Sequence, residues 1–281
     1  LVSTRVVLNF HGTDNLIDTP HKSFLCRLLK CSIQVMHVVA PSAIFLSQLA
    51  KRYDLHPDQL TVSASAGVDS RRYYPFEAKL NAHPVHRVGF VGNLLDIKGW
   101  DVFIDTADIL EKRGRCDPIQ FVLAGSGPDE QDVKDRLTSS SVQFQRFGSL
   151  EEADLAKLYN SLDVLIFPSR RESLGLVALE CLACGTPVVA HSISGPMEYI
   201  EAGINGDLCP VGDTDRLATA VERILNGDDG MRQRLRQACV KTAEKYDADN
   251  VADKMHSFLE SLFNRRDCLQ PTTRSKDAAA P

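Results

Sequence analysis

The stretch Phe167-Pro-Ser-Arg-Arg-Glu-Ser-Leu-Gly-Leu-Val-Ala-Leu-Glu180 carries an apolar run through a turn into a helical pattern that begins near Gly175. Glycine at that junction lets the backbone approach a ligand closely. The N–H groups after it are helix-start donors with no intrahelical acceptor. Such a terminus carries about half a positive charge and suits a phosphate or diphosphate. Glu172 stands just before the terminus, and Glu180 follows about two helical turns later on the same rim. A carboxylate accepts two hydrogen bonds side by side, which suits vicinal hydroxyls. Two glutamates bracketing an anion site therefore fit a molecule with a sugar at each end of a diphosphate. The spacing E-x7-E alone is weak, with about one chance match expected per chain. Taken by itself, the pair also reads as two surface glutamates on an ordinary helix.

The same rhythm extends on both sides of this stretch. From Arg87, strands are expected at Val88 to Val91, Gln120 to Ala124, Val142 to Phe147, Val164 to Phe167 and Pro187 to Ala190. Helical patterns alternate with them at Trp100 to Lys112, Glu130 to Leu137, Glu152 to Leu162 and Leu176 to Ala183. Short strands apolar on both faces, separated by helices, imply parallel βαβ units. Right-handed crossovers gather the loops at the strand C-termini along one rim. Before Arg87, strands at Val6 to Phe10, Val35 to Ala40 and Gln59 to Ser63 flank helices near Ser23 to Lys30 and Ala43 to Tyr53. Tyr74 to His86, with two prolines, reads as an interdomain linker. Three helical segments follow Asp213 and end near Phe263, and a polar tail from Asn264 to Pro281 is expected to be disordered.

Composition narrows the function classes. The chain has 281 residues, 43% hydrophobic and 25% charged, which fits about two globular domains. A net charge of -5 makes it a poor nucleic-acid binder by bulk charge. No apolar run approaches the roughly 18 residues that span a bilayer. Leu1 to Asp14 lack the basic start, long apolar core and cleavage site of a signal peptide. The chain opens on Leu1, and Val6, Val7 and Leu8 already read as a strand, so a removed segment or a longer parent chain is expected. Eight cysteines, Cys26, Cys31, Cys116, Cys181, Cys184, Cys209, Cys239 and Cys268, sit mostly in apolar stretches, as in a reduced compartment. Cys181-x-x-Cys184 lacks a second ligand pair and lies at a helix end, so both read as packed helix residues.

Three further strand ends carry polar or glycine-rich turns. Val91-Gly92-Asn93-Leu-Leu-Asp-Ile-Lys98-Gly99 places a lysine that can reach a phosphate over the same rim. Leu123-Ala-Gly125-Ser-Gly-Pro128 is a second glycine turn, without the rest of a dinucleotide motif. Asn9-Phe-His11-Gly12-Thr-Asp14 ends the first strand on a histidine. Two D-x-D sequences, Asp213-Thr-Asp215 and Asp247-Ala-Asp249, each precede a helical stretch and read as caps rather than metal ligands.

Together these features resemble the retaining GT-B glycosyltransferases of family GT4, the glycosyl transferases group 1. The resemblance rests on His11-Gly12-Thr13-Asp14, Gly67-Val68-Asp69 with Tyr74-Pro75, Gly92 through Lys98-Gly99, and Leu123-Ala-Gly-Ser-Gly127. It continues through Gly148, Leu158-Tyr159, Asp163, Pro168-Ser169-x-x-Glu172, Gly175-Leu-Val177, Glu180, Gly185-Thr-Pro-Val-Val-Ala190 and Glu198. It runs from about Leu8 to Ile224 and is most specific in its C-terminal half. It implies an α/β GT-B fold of two Rossmann-like domains with parallel sheets, facing each other across a cleft. The expected division is residues 1–75 for the acceptor side, 76–86 for the linker, 87–246 for the nucleotide-sugar domain, and 247–263 for a helix crossing back.

Under the resemblance, Glu172 holds donor-sugar hydroxyls and Glu180 holds the nucleotide ribose. The backbone of Gly175, Leu176 and Val177 and the ammonium of Lys98 face the diphosphate. Gly92, Asn93 and Gly125 line the donor site, Phe147 and Gly148 lie near the base, and His11 and Gly12 reach in from the other domain. Lys98, Glu172 and His11 are then the catalytic candidates. The partners implied are a UDP- or GDP-linked sugar donor and a sugar, lipid-linked or other glycoconjugate acceptor. No metal or other cofactor is expected, nor any nucleic-acid partner. Polysaccharide or glycoconjugate biosynthesis in the cytoplasm, or at the cytoplasmic face of a membrane through peripheral association, is the setting implied. The resemblance implies retention by same-face attack, with the leaving phosphate taking the acceptor proton, and the sequence offers no convincing carboxylate nucleophile opposite Glu172.

Three departures from the family pattern stand out. Asn93 replaces an arginine that would make a bidentate phosphate contact, which Arg170 or Arg171 would have to supply. Ala66 stands where asparagine is common. The strands and glycine-rich loop that precede the His-Gly segment in the family are missing, so the acceptor domain is expected to be truncated, with an unpaired sheet edge. A nucleotide-sugar-binding module without turnover is the alternative. A sugar-nucleotide epimerase of similar fold is a third reading, disfavoured by Glu172, Glu180 and His11-Gly12.

Overall fold

The computed structural model describes residues 7–9, 37–64, 66–76 and 85–264. His11, Gly12, the helix expected near Ser23 to Lys30 and the tail after Asn264 lie outside the described residues. Two parallel sheets organise the rest. The first has three strands, β1 (Val7–Asn9), β2 (His37–Ala40) and β3 (Leu60–Val62), in the order β1-β2-β3. Helix α1 (Ala43–Tyr53) covers it, packing Phe45, Leu46, Leu49 and Tyr53 against Val38 and Ala40. Ser42 caps α1 by accepting the Phe45 N–H at 3.1 Å.

The second sheet has six strands: β4 (His86–Val91), β5 (Ile119–Ala124), β6 (Phe144–Phe147), β7 (Val164–Phe167), β8 (Val188–His191) and β9 (Gly206–Cys209). Their order is β6-β5-β4-β7-β8-β9, all parallel. Helices α2 (Trp100–Arg113), α3 (Glu130–Ser139), α4 (Glu152–Ser161), α5 (Leu176–Ala183), α6 (Thr214–Leu225) and α7 (Asp229–Glu244) connect or follow these strands. Alternation along each strand divides the core between two faces. Val122, Leu165 and Val188 pack with Tyr159, Leu179 and Cys239 on one side. Phe121, Ile166 and Val189 pack with Phe103, Ile104, Leu217 and Val221 on the other. The expected doubly covered parallel sheet is thus present.

Most expected elements appear within two residues. β9 is the exception; its Gly206-Asp-Leu-Cys209 run holds too few apolar residues to announce a strand. Asp213 accepts the Arg216 N–H at 3.0 Å, so the first D-x-D caps α6 as expected. Asp247 accepts the amides of Asp249 and Asn250 at 3.0 and 3.3 Å at the start of helix α8 (Ala248–Asn264). α8 returns to the first sheet, where the Phe258 ring meets His37 at a tilt with ring centroids 5.0 Å apart. Cys181 and Cys184 are fully buried, in keeping with a packing role.

The chain crosses between the sheets at two adjacent places. Val68 N–H donates to Tyr246 O at 2.8 Å and Ala248 N–H to Val68 O at 3.0 Å, forming a parallel bridge. Tyr74, Pro75 and Phe76 are held rather than loose: Asn160 accepts from Phe76 N–H at 2.7 Å and donates to Tyr74 O at 2.9 Å.

Candidate functional site

Strand order reverses between β4 and β7, so the chain leaves these two neighbours toward helices on opposite faces of the sheet, and the rim at their C-termini is where an open α/β sheet forms its crevice. Open α/β sheets bind ligands at such a switch point. The loop after β4 runs Gly92 to Gly99 and includes a short 3-10 turn over Asp96–Lys98. The loop after β7 runs from Pro168 to Gly175. The two loops touch through their backbones. A Cβ on Gly99 would lie 2.1 Å from Pro168 O, and Gly99 has φ +73, so only glycine closes this contact. Arg170 N–H donates to Ile97 O at 2.8 Å.

This juxtaposition brings Lys98 and Glu172 together as an ion pair. Their side chains are 29% and 14% exposed, so the pair is largely shielded from solvent. The ammonium expected to meet a phosphate and the carboxylate expected to meet a sugar thus satisfy each other. Gly175, with φ +89, opens α5 behind Glu172. The N–H groups of Leu176 and Val177 lie in the first turn of that helix, where no earlier carbonyl can serve them.

The rest of the crevice floor is backbone. Gly92 N–H donates to Ala124 O at 3.1 Å, and Gly125 N–H donates to Phe147 O at 3.1 Å. A Cβ on Gly125 would fall 1.9 Å from Gly92 O, so Gly125 stacks on Gly92 with no room for a side chain of its own, whereas a Cβ on Gly92 would only touch the Phe90 ring at 3.4 Å. Gly148 beyond them meets nothing within 4 Å, which leaves open space where a base was expected. Asn93 is exposed at the mouth.

Glu180 has a different neighbour. It accepts a hydrogen bond from the Tyr159 hydroxyl of α4 at 3.1 Å. Burial pushes its carboxyl up to about 7, and the Tyr159 bond partly opposes that. The structure therefore places Lys98 with Glu172, and Gly92 with Gly125 and Phe147, while Glu180 answers to Tyr159.

The expected compensation by Arg170 for the missing arginine at position 93 is not what the structure shows. Arg170 makes two parallel bonds to Asp101, at 2.9 and 2.6 Å, and a further bond to Asp96 O. Burial alone would raise the Asp101 carboxyl, but Arg170 holds it below the ordinary carboxylate range. The guanidinium clamps the β7 loop onto α2, because a nearby carboxylate is a better partner than solvent. Arg171 is exposed beside it.

Sequence reasoning assigned no role to three supporting residues. Tyr159 positions Glu180; a buried tyrosine needs a partner for its hydroxyl, and that was the available signal. Buried His191 pairs with Ser169 O at 3.2 Å through Nδ1 and accepts the Gly212 N–H at 3.1 Å through Nε2. Tyr199 donates to Leu174 O at 2.9 Å and Gly175 O at 3.1 Å, fixing the turn before α5. Neither of the last two pairings has a local sequence signature.

Comparison with known proteins agrees with this geometry. Residues 76–246 match the model of the glycosyl transferases group 1. The chain is 32% identical over 183 residues to the alpha-D-kanosaminyltransferase of Streptomyces kanamyceticus, covering 62% of this chain and 45% of that protein. It is 31% identical over 281 aligned positions to the D-inositol 3-phosphate glycosyltransferase of Corynebacterium aurimucosum, covering 92% of this chain and 64% of that protein. The chain thus spans roughly half to two thirds of the length of these relatives. Among solved structures, sucrose-phosphate synthase from Thermosynechococcus elongatus superposes with a TM-score of 0.76 at 21% identity, over 92% of this chain and 68% of that one. HepE of Anabaena, solved with UDP and glucose, gives 0.74 at 22% identity, over 92% and 72%. The fold is accordingly GT-B, with parallel sheets. With a family match over the whole six-stranded half and a site built at its switch point, this chain belongs to the glycosyl transferases group 1 family.

Proposed function

We propose that this chain moves a sugar from a nucleotide-sugar donor, UDP- or GDP-linked, to an acceptor hydroxyl with retention of anomeric configuration. The observation that carries this reading is the contact of Lys98 with Glu172 in front of the Gly175-capped start of α5. The donor diphosphate takes Lys98 and the first-turn amides of α5, and Glu172, released from Lys98, takes sugar hydroxyls. Glu180 holds the ribose, and the open space at Gly148 receives the base. Two curated relatives above 30% identity, named as a kanosaminyltransferase and an inositol 3-phosphate glycosyltransferase, support the same class.

In the proposed reaction the bond from the anomeric carbon to the diphosphate oxygen breaks, leaving negative charge on the diphosphate. Once the bound donor has parted Lys98 from Glu172, Lys98 and the helix terminus face that charge and stabilise it as it develops. No metal ion is required in this scheme. The acceptor oxygen attacks on the face the diphosphate leaves, and its proton passes to the departing phosphate oxygen. His11 and Gly12 belong to the acceptor side, which works on a sugar or a lipid-linked or other glycoconjugate. The proposed setting is glycoconjugate or polysaccharide biosynthesis in the cytoplasm, with peripheral membrane association for lipid-linked acceptors.

Calorimetric titration with UDP and GDP tests the donor half. One nucleotide should bind, and Lys98→Ala should weaken it by about tenfold, the effect of one charge-assisted contact. Absence of binding by either nucleotide would overturn the reading. Binding of a UDP- or GDP-sugar without breakdown or transfer would favour a donor-binding module without turnover.

A further inference from the structure

Glu198 lies outside the donor crevice, yet its carboxylate reaches the other sheet. Its Oε1 accepts the backbone N–H of Ile44, in the first turn of α1, at 2.7 Å. The α1 start does not need this bond to form, because Ser42 already caps it by accepting from Phe45 N–H. Ile44 carries one of the orphan amides that water ordinarily serves. A carboxylate arriving from 154 positions away is also favoured by the helix dipole.

The short segment bearing Glu198 is fastened to the donor loop at three points. Ser194 donates to the backbone oxygen of Glu172 at 2.6 Å. Gly195 packs so closely on Leu174 O that a Cβ would lie 2.4 Å from it. Tyr199 holds the carbonyls of Leu174 and Gly175. Tyr199 also meets the Tyr246 ring edge to face, with centroids 5.7 Å apart, and Tyr246 O receives Val68 N–H at the crossing between the sheets. The segment is therefore joined to the loop that carries Glu172, to the crossing point, and through Glu198 to α1.

We infer that Glu198 is a positioning residue that couples occupation of the donor crevice to docking of α1 across the cleft. A diphosphate settling on the Gly175 terminus steadies the carbonyls that Ser194 and Tyr199 hold. The steadied segment presents Glu198 to Ile44, and the acceptor-side sheet is drawn against a loaded donor site. The inference rests on the donor-site reading given above.

Amide hydrogen exchange on the full chain, with UDP as the probe, tests both separately. In the wild type, saturating UDP should slow exchange in residues 175–180 and, by about tenfold, in residues 43–46. In Glu198→Ala the first effect should persist and the second should vanish, while Glu198→Gln, which keeps an acceptor oxygen, should restore part of it. Ser194→Ala should also uncouple the two segments with Glu198 intact, which guards against a folding defect in the Glu198 variants. Protection of 175–180 without any change at 43–46 in the wild type would overturn the coupling alone. Full protection of 43–46 in Glu198→Ala would do the same. Protection of neither segment would overturn the donor-site reading and the coupling with it.

Discussion

Tyr159 donates its hydroxyl to Glu180 Oε2 at 3.1 Å from the adjoining helix, and this bond partly opposes the effect of burial on the Glu180 carboxyl. Burial holds the Glu180 carboxyl up at about 7, and burial followed by the nearby Glu180 charge holds the Tyr159 phenol well above its ordinary range. Tyr159 thus remains a donor at every working pH. Tyr159→Phe removes the one contact that favours the ionised carboxylate. Nucleotide affinity should then fall several-fold near neutral pH and recover toward pH 9, where the carboxylate forms without help. A pH series of UDP titrations on both proteins would show this shift; superimposable profiles would separate Tyr159 from Glu180.

The raised Glu180 value also fixes a sign for stability. Between about 4.5 and about 7 the folded carboxyl keeps a proton that the unfolded one has lost. Folding stability from this group therefore declines as pH rises through that window and is level above it. Glu180→Gln, which stays neutral, should flatten this part of the profile in urea titrations at several pH values.

His191 works in the opposite direction. It accepts from Gly212 N–H only as a neutral ring, and burial lowers its pKa. Below the ordinary histidine range the unfolded chain gains a proton that the folded one resists, so stability falls as pH drops from about 6.5. His191→Ala leaves the Gly212 amide and the Ser169 carbonyl unserved and should cost roughly 1–3 kcal/mol at pH 7.5. Equilibrium unfolding of the variant measures both effects.

Lys98 and Glu172 should fail together in kinetic assays. Each single alanine variant is expected to lower kcat by at least about tenfold, because in the proposed reaction each group meets charge or hydroxyls of the same donor. The double variant should lose less than the product of the two losses, since each residue already lacks its partner in the other's absence. Strict additivity would mean that the pair acts independently.

Gly125→Ala and Gly148→Ala form a contrasting pair. The first forces a Cβ to 1.9 Å from a carbonyl oxygen at φ +145, and should destabilise by about 3 kcal/mol or more. The second meets open space and should leave the fold intact while reporting on the base pocket through UDP affinity. Thermal unfolding distinguishes them directly.

The six-stranded half was readable because its strands are short apolar runs on both faces, as Val164–Phe167 shows, and its helices alternate with them. β9 escaped notice because it is an edge strand whose pairing with β8, rather than its composition, makes it a strand. The glycine turns and Lys98 were legible because each follows a strand end. The engagement of Arg170 with Asp101 was not, since the two are 69 positions apart and meet only when α2 packs beside the β7 loop. Glu198 was visible as a motif residue, but its partner Ile44 lies in the other sheet. Partners far apart in sequence are set by topology, and local patterns do not reveal them.

The stacking of Gly125 on Gly92 has an evolutionary consequence. A floor made of peptide groups offers the same donors and acceptors whatever the neighbouring side chains become. Drift in the gene can repaint the walls around Asn93, Gly148 and Arg171 while the floor stays chemically constant. New sugar or base preferences should therefore arise by exchange at those exposed positions, and a library confined to them should diversify selectivity without collapsing the protein.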